Sequence, residues 1–263
     1  MKITRVNYNK IMMEKCSHYN SACTGEDSEN MNIEFLRSIP FFQNVSENII
    51  STLSLKVKTA KYKKGEIIFS EFDESKAIYF VKSGTVKIKK VNHQGKELVV
   101  CIKRPGNLFA EVSVFSEQGS TYPGTAQTLA DTEVLFLLAS DVEELMGTNP
   151  SFSVEMIRFM AGQLHSFSNI LGDVALLDVY TKTVKTIERL ANDFGKKTSC
   201  GVKIELPLTI QELANIIGST RESVNRVIVK LKEQGSITFD DKNIVITNRC
   251  DFCKRFAETA NKA

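Results

Sequence analysis

The chain has 263 residues, 42% of them hydrophobic and 25% charged, enough apolar material for genuine cores in one large or two ordinary domains. No apolar run approaches the roughly 18 residues a membrane-spanning helix requires. The N-terminal MKITRVNYNKIMMEK lacks the apolar segment of a secretory signal, so a cytoplasmic location and no membrane partner are expected. Net charge is only +3, but it is unevenly spread. From Val179 onward 15 Lys+Arg face 10 Asp+Glu, while the remainder carries 19 basic and 21 acidic residues. A basic C-terminal third beside a mildly acidic remainder fits a separate module that meets phosphates.

Residues 1–30 read as a polar tail without sustained periodicity, followed by a short helix around Met31 to Leu36. IPFFQNVSENIISTLS gives a small helix with Ser46 as its cap and Ile49, Ile50 and Leu53 apolar. From Lys61 to Leu138 the pattern changes to short strands: KKGEIIF, AIYFVKSGTVKIKKV, KELVVCI, LFAEVSVF and TEVLFLL. Turn residues break them at Lys64-Gly65, Ser83-Gly84, His93-Gln94-Gly95 and Arg104-Pro105-Gly106. Close-spaced strands with glycine turns predict an antiparallel roll or barrel, a pattern generic by itself.

Asp141 to Asn149 predicts a short helix, and Pro150 suits the start of the next. From Ser151 to about Leu177 runs a long helical pattern with two adjacent apolar stripes. One comprises Val154, Ile157, Ala161, Leu164, Leu171 and Ala175, the other Met156, Met160, Phe167, Ile170, Val174 and Leu177. Alternating steps of three and four mark a coiled-coil seam. Two stripes side by side are wide enough to meet both the chain's own domain and a second subunit, whereas a helix wholly buried in one domain is the plainer alternative. Asp178 is placed to cap a further helix running to about Asn192.

The most informative stretch is LTIQELANIIGSTRESVNRVIVKLKEQGSI, residues 208–237. Thr209 stands three residues before Glu212, the spacing of a capping box. Leu213, Ile216 and Ile217 then make a short amphipathic helix that Gly218 ends. Ser219 and Thr220 can each cap a second helix, and Ser219 again precedes a glutamate, Glu222, by three. Val224, Val227, Ile228 and Leu231 face inward on it, leaving Arg221, Glu222, Asn225 and Arg226 on the opposite side. Two short helices joined by a glycine turn, the second with a polar face, describe a helix-turn-helix that reads double-stranded DNA. Arginine can donate twice to guanine, glutamate can accept from cytosine, and Asn225 could pair with adenine or hold a phosphate. A solvated charged face is the blander reading, but the caps, the turn and the following hairpin all agree. That hairpin, TFDDKNIVITN, is a wing turning at Asp240-Asp241-Lys242-Asn243, with Lys242 a candidate phosphate contact, and RCDFCKRFAETANKA reads as a closing helix.

Arg221-Glu222-Ser223-Val224-Asn225-Arg226 resembles the recognition helix of the CRP/FNR family of transcription regulators, and the likeness extends over residues 33–247. The resemblance implies base contacts by Arg221, Glu222 and Arg226, with Asn225, Ser219, Thr220 and Lys242 as neighbouring contacts. It implies an α+β fold: an N-terminal antiparallel β-roll, or double-stranded jelly-roll-like β-helix, as sensor over residues 31–150, a long dimerisation helix over 151–178, and a winged helix-turn-helix over 179–263. It further implies a homodimer on a two-fold symmetric TGTGA-like site, switched by an effector, with RNA polymerase as a partner. Gly84 matches the turn glycine of cyclic-nucleotide-binding domains.

The family's nucleotide pocket needs a glycine and a glutamate for ribose and phosphate, then an arginine to neutralise the phosphate. Here Phe109-Ala110-Glu111-Val112-Ser113 keeps the glutamate, but Ala110 replaces the glycine. Tyr122-Pro123-Gly124 stands where the family has Arg-Ser-Ala, and no arginine occurs between Arg104 and Arg158. Phe167 replaces the threonine that contacts the base, although Ser168 remains. A buried phosphate without its cation is costly, so cyclic AMP is not the expected ligand. The pocket either serves another ligand or has collapsed around Tyr122 and Phe167, and Glu111 either binds that ligand or accepts from backbone amides.

Six cysteines without a signal peptide are not a disulfide scaffold. Cys101 lies in an apolar strand as a small core residue. Cys16 with Cys23, and Cys250 with Cys253 in a C-x-x-C pair, could hold an iron–sulfur cluster or zinc, with His18 as a further ligand, only if the two termini meet. Neither cysteine cluster of the family's oxygen sensors is reproduced, and incidental placement or reversible thiol oxidation are the other readings. A metal-dependent β-roll enzyme would need clustered histidines, and the only ones are His18, His93 and His165, far apart in the chain. No nucleophile motif or phosphate loop occurs, so no enzyme is expected.

Overall fold

The structure, a computed structural model, describes residues 25–199 and 201–247. The chain divides into two units, Met1–Ile88 with Ile102–Gly162, and Lys89–Cys101 with Gln163–Ala263. In the first, helix α1 (Gly25–Ser38) begins inside the segment expected to be a polar tail, and it carries Leu36 into complete burial. A 3-10 turn at Pro40–Phe42 leads to α2 (Glu47–Lys56). Ser46 occupies the N-cap position of α2 as expected, but its hydroxyl makes no capping bond. Burial of Ile49, Ile50 and Leu53 holds that helix instead.

Eight strands follow: β1 (Lys58–Tyr62), β2 (Ile67–Phe69), β3 (Ala77–Ser83), β4 (Val86–Val91), β5 (Glu97–Lys103), β6 (Leu108–Phe109), β7 (Thr125–Thr128) and β8 (Thr132–Leu138). They form two four-stranded sheets, ordered β1-β8-β3-β6 and β2-β7-β4-β5. β8 pairs antiparallel with both β1 and β3. Successive side chains of a strand point to opposite faces, and β3 is buried on both. Its Ile78 and Phe80 join Leu135 and Leu137 of β8 in a core with the helices, while Tyr79 and Val81 join Val134 and Phe136 inside the roll.

LFAEVSVF is not the continuous strand its composition suggests. Only Leu108–Phe109 pair; Ala110 takes the left-handed conformation (φ 61°), and Glu111–Val114 form a 3-10 turn closed by the Ser113 amide on the Ala110 carbonyl at 3.1 Å. A positive φ cannot be accommodated in a ladder, so the strand ends there.

Helix α3 (Ala139–Thr148) and the long α4 (Pro150–Leu176) come next, with Pro150 opening α4 as the sequence predicts. Phe152 and Met156 of α4 are 2% and 0% exposed in the helical core of the first unit. The second unit continues with α5 (Val179–Phe194), β9 (Gly195–Thr198), β10 (Gly201–Ile204), α6 (Ile210–Ile217), α7 (Arg221–Glu233), β11 (Ile237–Asp240) and β12 (Asn243–Ile246). Its sheet runs β11-β12-β10-β9. Val184, Ile187 and Leu190 of α5 are buried, as are Leu213 and Ile217 of α6 and Val224, Ile228 and Leu231 of α7. The expected α+β order of antiparallel roll, long helix and winged helix-turn-helix is the one observed.

Gly84 turns the chain between β3 and β4 at φ 83°, and a Cβ there would lie 2.4 Å from both the Asp131 carbonyl oxygen and Thr132 Oγ1. Gly84→Ala is therefore expected to destabilise the protein by about 2 kcal/mol or more, from left-handed strain plus collision with backbone. Denaturant unfolding followed by circular dichroism measures this. A stability equal to wild type would show that the turn has room the geometry denies.

Candidate nucleic-acid interface

The two helices that carry the polar face are fixed at their ends by side chains close in sequence. Thr209 Oγ1 accepts from the Glu212 amide at 3.1 Å, and the Glu212 carboxylate accepts from the Thr209 amide at 2.8 Å, completing the capping box at α6. Gly218 ends α6 in the left-handed conformation at φ 71°. Of the two candidate caps for α7, Thr220 takes the role: its Oγ1 accepts from the Ser223 amide at 3.2 Å. Ser219 lies one residue too early, in the turn, where its amide donates to the Ala214 carbonyl at 3.0 Å.

With the apolar side of α7 buried, Arg221, Glu222, Asn225 and Arg226 are all exposed. At about 100° per residue these offsets share one broad face of the helix. Ser223 was not singled out from the sequence, yet it sits within this face. Its Oγ accepts from Thr220 Oγ1 at 3.0 Å and from Arg226 Nη2 at 3.3 Å. The signal was present as the i, i+3, i+6 spacing of Thr220, Ser223 and Arg226. Nearer the C-terminus of the helix Lys230 lies over the Tyr180 ring and Lys232 over the Phe239 ring, at 5.0 and 5.1 Å.

Lys242 is exposed at the tip of the β11–β12 hairpin, next to Asp241 at φ 54°. Lys203 of β10 donates to Asp240 at 2.5 Å, tying the wing to its sheet, and that hydrogen bond raises the lysine's pKa. At the head of α5, Asp178 accepts from the amides of Tyr180 and Thr181 at 2.7 and 3.1 Å and from the Thr181 hydroxyl at 2.6 Å. The Thr181 hydroxyl is the main reason the carboxyl titrates below its ordinary value, with the two amides adding to it.

The residues of the expected effector pocket divide between the units. In the first, Tyr122 is 4% exposed and stacks on Phe69 with ring centroids 3.8 Å apart and planes 18° from parallel. Its hydroxyl accepts from the amide of Ala77 at 3.2 Å and lies 3.3 Å from the Ala77 carbonyl, so the polar end is satisfied within the roll. Tyr79 stacks on Phe109, and burial pushes the Tyr79 hydroxyl's pKa far up. Ser113 Oγ is held between Ser75 Oγ at 2.7 Å and the Ala77 carbonyl at 3.0 Å. Glu111 is 6% exposed and its carboxylate meets no cation among the described residues. In the second unit, Phe167 and Ser168 are both exposed on α4. The rings of Phe69, Tyr79, Phe109 and Tyr122 thus pack together inside the roll, and the Glu111 carboxylate pairs with no arginine among the described residues.

Cys16, Cys23, Cys250 and Cys253, with His18 and the expected closing helix, lie outside the described residues. Cys101 is partly buried and forms no disulfide among the described residues. Among the described residues no three His, Cys, Asp or Glu side chains are grouped to hold a metal, and no helix is long and apolar enough to cross a membrane.

A β-roll followed by a capped two-helix reader with a wing defines the class of winged-helix DNA-binding regulators. The cyclic nucleotide-binding domain family matches residues 59–149, and the Crp-like helix-turn-helix domain family matches residues 182–254. A CRP-like cAMP-activated global transcriptional regulator of Mycobacterium tuberculosis is 26% identical, over 82% of this chain and 95% of its own. The anaerobic regulatory protein of Bacillus subtilis is 27% identical, over 82% and 91%. Among solved structures, the c-di-GMP responsive global regulator CLP of Xanthomonas campestris is similar at a TM-score of 0.68, with 22% identity, 77% of this chain and 100% of that one covered. This chain belongs to the CRP/FNR family of DNA-binding transcription regulators; it is a regulator, not an enzyme.

Asp178→Ala removes the cap of α5 and should cost about 0.5–2 kcal/mol at neutral pH. Because the folded carboxyl titrates below its ordinary 3.8, this stabilisation is present well above that pH and is lost as the pH falls through the lower folded value. Unfolding curves of wild type and variant, taken from neutral pH downward, should therefore converge in acid. A gap that persists unchanged there would assign the loss to something other than the charge.

Proposed function

We propose that the protein acts as a homodimer on a two-fold symmetric, TGTGA-like duplex site, with Arg221, Glu222 and Arg226 of α7 reading base edges. The observation that carries this reading is the division of α7 into a buried apolar side and an exposed face bearing those three residues. Arginine forks answer guanine and the glutamate answers the amino group of cytosine. Asn225 and the turn residues Ser219 and Thr220 face the neighbouring sugar–phosphate, and Lys242 on the wing takes a phosphate.

Dimerisation is supported by α4. Ile157, Leu164 and Leu171 are 61%, 72% and 69% exposed, seven residues apart, with Ala161 and Ala175 on the same stripe. Such a row is a coiled-coil seam, and pairing it in parallel with a second copy sets two α7 helices in successive major grooves about 34 Å apart. The site binds in the cytoplasm and serves RNA polymerase at the promoter. The effector is one other than cyclic AMP, a reading supported by the rings packed inside the roll and by the lack of an arginine between Arg104 and Arg158. It switches the protein by binding one arrangement of the dimer more tightly than the other.

Arg226→Ala should weaken binding to the preferred duplex by about 1–3 kcal/mol and relax preference at one base pair. Shift assays across single-base variants of the site measure both, and unchanged affinity and preference would remove Arg226 from the reading face.

Leu171→Glu places like charges opposite each other in the seam and should convert the dimer to monomer in sedimentation equilibrium, with loss of full-site binding. A variant that stays dimeric would move the interface off this stripe.

A further inference from the structure

A cleft of about 590 Å³ opens within the second unit, lined by the last turns of α4, by α5 and by the end of α6. Its volume is that of an ordinary small-molecule site, roughly 300–1,000 Å³. The apolar part of the lining comes from Ile170, Val174, Leu176, Leu177, Ile216 and Ile217. The polar part is mixed, with Asp173 and Glu188 among it, and its cations come from one side of α5: Lys182, Lys185 and Arg189 follow at steps of three and four, which keeps them on one face.

These three cations are in different states. Lys182 Nζ donates to the Val174 carbonyl at 2.5 Å, and Lys185 pairs with Asp173, so both reach across to the end of α4 and stay there. Of the two acids on the lining, Asp173 is thus occupied, and Glu188 is engaged by another partner. Arg189 is half-buried, and its guanidinium makes no hydrogen bond or ion pair among the described residues. A half-buried guanidinium with all its donors unspent, in a concave wall beside two tethered ammonium groups, is arranged for an anion. Its planar fork matches a carboxylate or a phosphate.

We infer that this cleft binds a small organic anion, a carboxylate or phosphate on a short apolar body, with Arg189 taking the anionic head and Ile170, Ile216 and Ile217 covering the body. The consequence for regulation rests on the function proposed above. The cleft is walled both by the helix that carries the dimer seam and by the first helix of the DNA reader. An occupant that fits one α4–α5–α6 arrangement better than another shifts the population toward it.

The test uses the full chain without DNA, with phenyl phosphate and glutarate as organic anions and phenol as the neutral counterpart. Calorimetric titration should show one saturable site per chain for at least one anion and none for phenol. Arg189→Gln should weaken that binding about tenfold or more, equivalent to about 1.4 kcal/mol, with Arg189→Lys between the two. Should Arg189→Gln fail to fold, hydrogen exchange on the wild type decides: protection by the anion confined to α5 and the ends of α4 and α6 supports the site. No saturable binding at millimolar anion, equal binding of phenol, undiminished binding by Arg189→Gln, or protection elsewhere each overturns it. Duplex binding is read separately. A wild type that shifts its DNA site but takes no anion overturns the cleft alone, and one that takes the anion but no duplex supports the cleft and overturns the DNA reading.

Discussion

The apolar row on α4 is the constraint from which the proposed mode of action follows. Ile157, Leu164 and Leu171 stand 61–72% exposed, while Phe152 and Met156 of the same helix are buried almost completely. A fully buried large aliphatic side chain contributes about 1.5–3 kcal/mol, so three left in water on one line favour association. A seven-residue repeat keeps the row facing one direction, drifting only about 20° per heptad on a straight helix. Ala161 and Ala175 between the large residues allow a second helix to come close. In a two-fold pairing every one of these residues meets its own copy, and the same symmetry is what a palindromic duplex site presents. Under the proposed pairing the row supplies the reader with its second half.

The reading face is free to act because its own helix needs nothing from it. α7 is held by Val224, Ile228 and Leu231 beneath and by Thr220 at its start, and Lys230 and Lys232 pack over rings near its C-terminus. Arg221, Glu222 and Asn225 therefore carry no structural duty. Arg226 has one light restraint, the Ser223 hydroxyl at 3.3 Å, which limits its rotamers before DNA arrives and so reduces the ordering cost of contact.

Much of this was legible because it is local. A capping box is a four-residue event, and Thr209 with Glu212 announced α6 correctly; so did the four apolar positions of α7 and the Pro150 start of α4. What was missed depends on partners distant in sequence or on backbone geometry. β1 (KTAKY) and β7 (TAQT) are too polar to read as strands, and they exist because β8 and β2 offer ladders. The β9–β10 hairpin gave no apolar signal on β9, whose residues are all exposed. Ala110 at positive φ broke a stretch that composition marks as strand, since no side-chain pattern reports a left-handed alanine. Thr220 was preferred over Ser219 by a single residue of phase, which the turn sets and the sequence pattern does not.

The sensor roll presents a separate problem of chemistry. Relatives in this family are named for different effectors, cyclic AMP in one and c-di-GMP in another, so membership does not decide what this chain senses. Within the roll the interior volume is taken by Phe69, Tyr79, Phe109 and Tyr122. A nucleotide placed there would compete with the Tyr122 stacking and its hydroxyl's contacts with β3, and a phosphate beside Glu111 would find no cation paired with that carboxylate among the described residues. Each step is unfavourable, and burying that anion unpaired is the largest. The cleft beside α5 is the reverse case, where Arg189 makes no hydrogen bond or ion pair among the described residues. Charge and room therefore coincide at the α4–α5 turn.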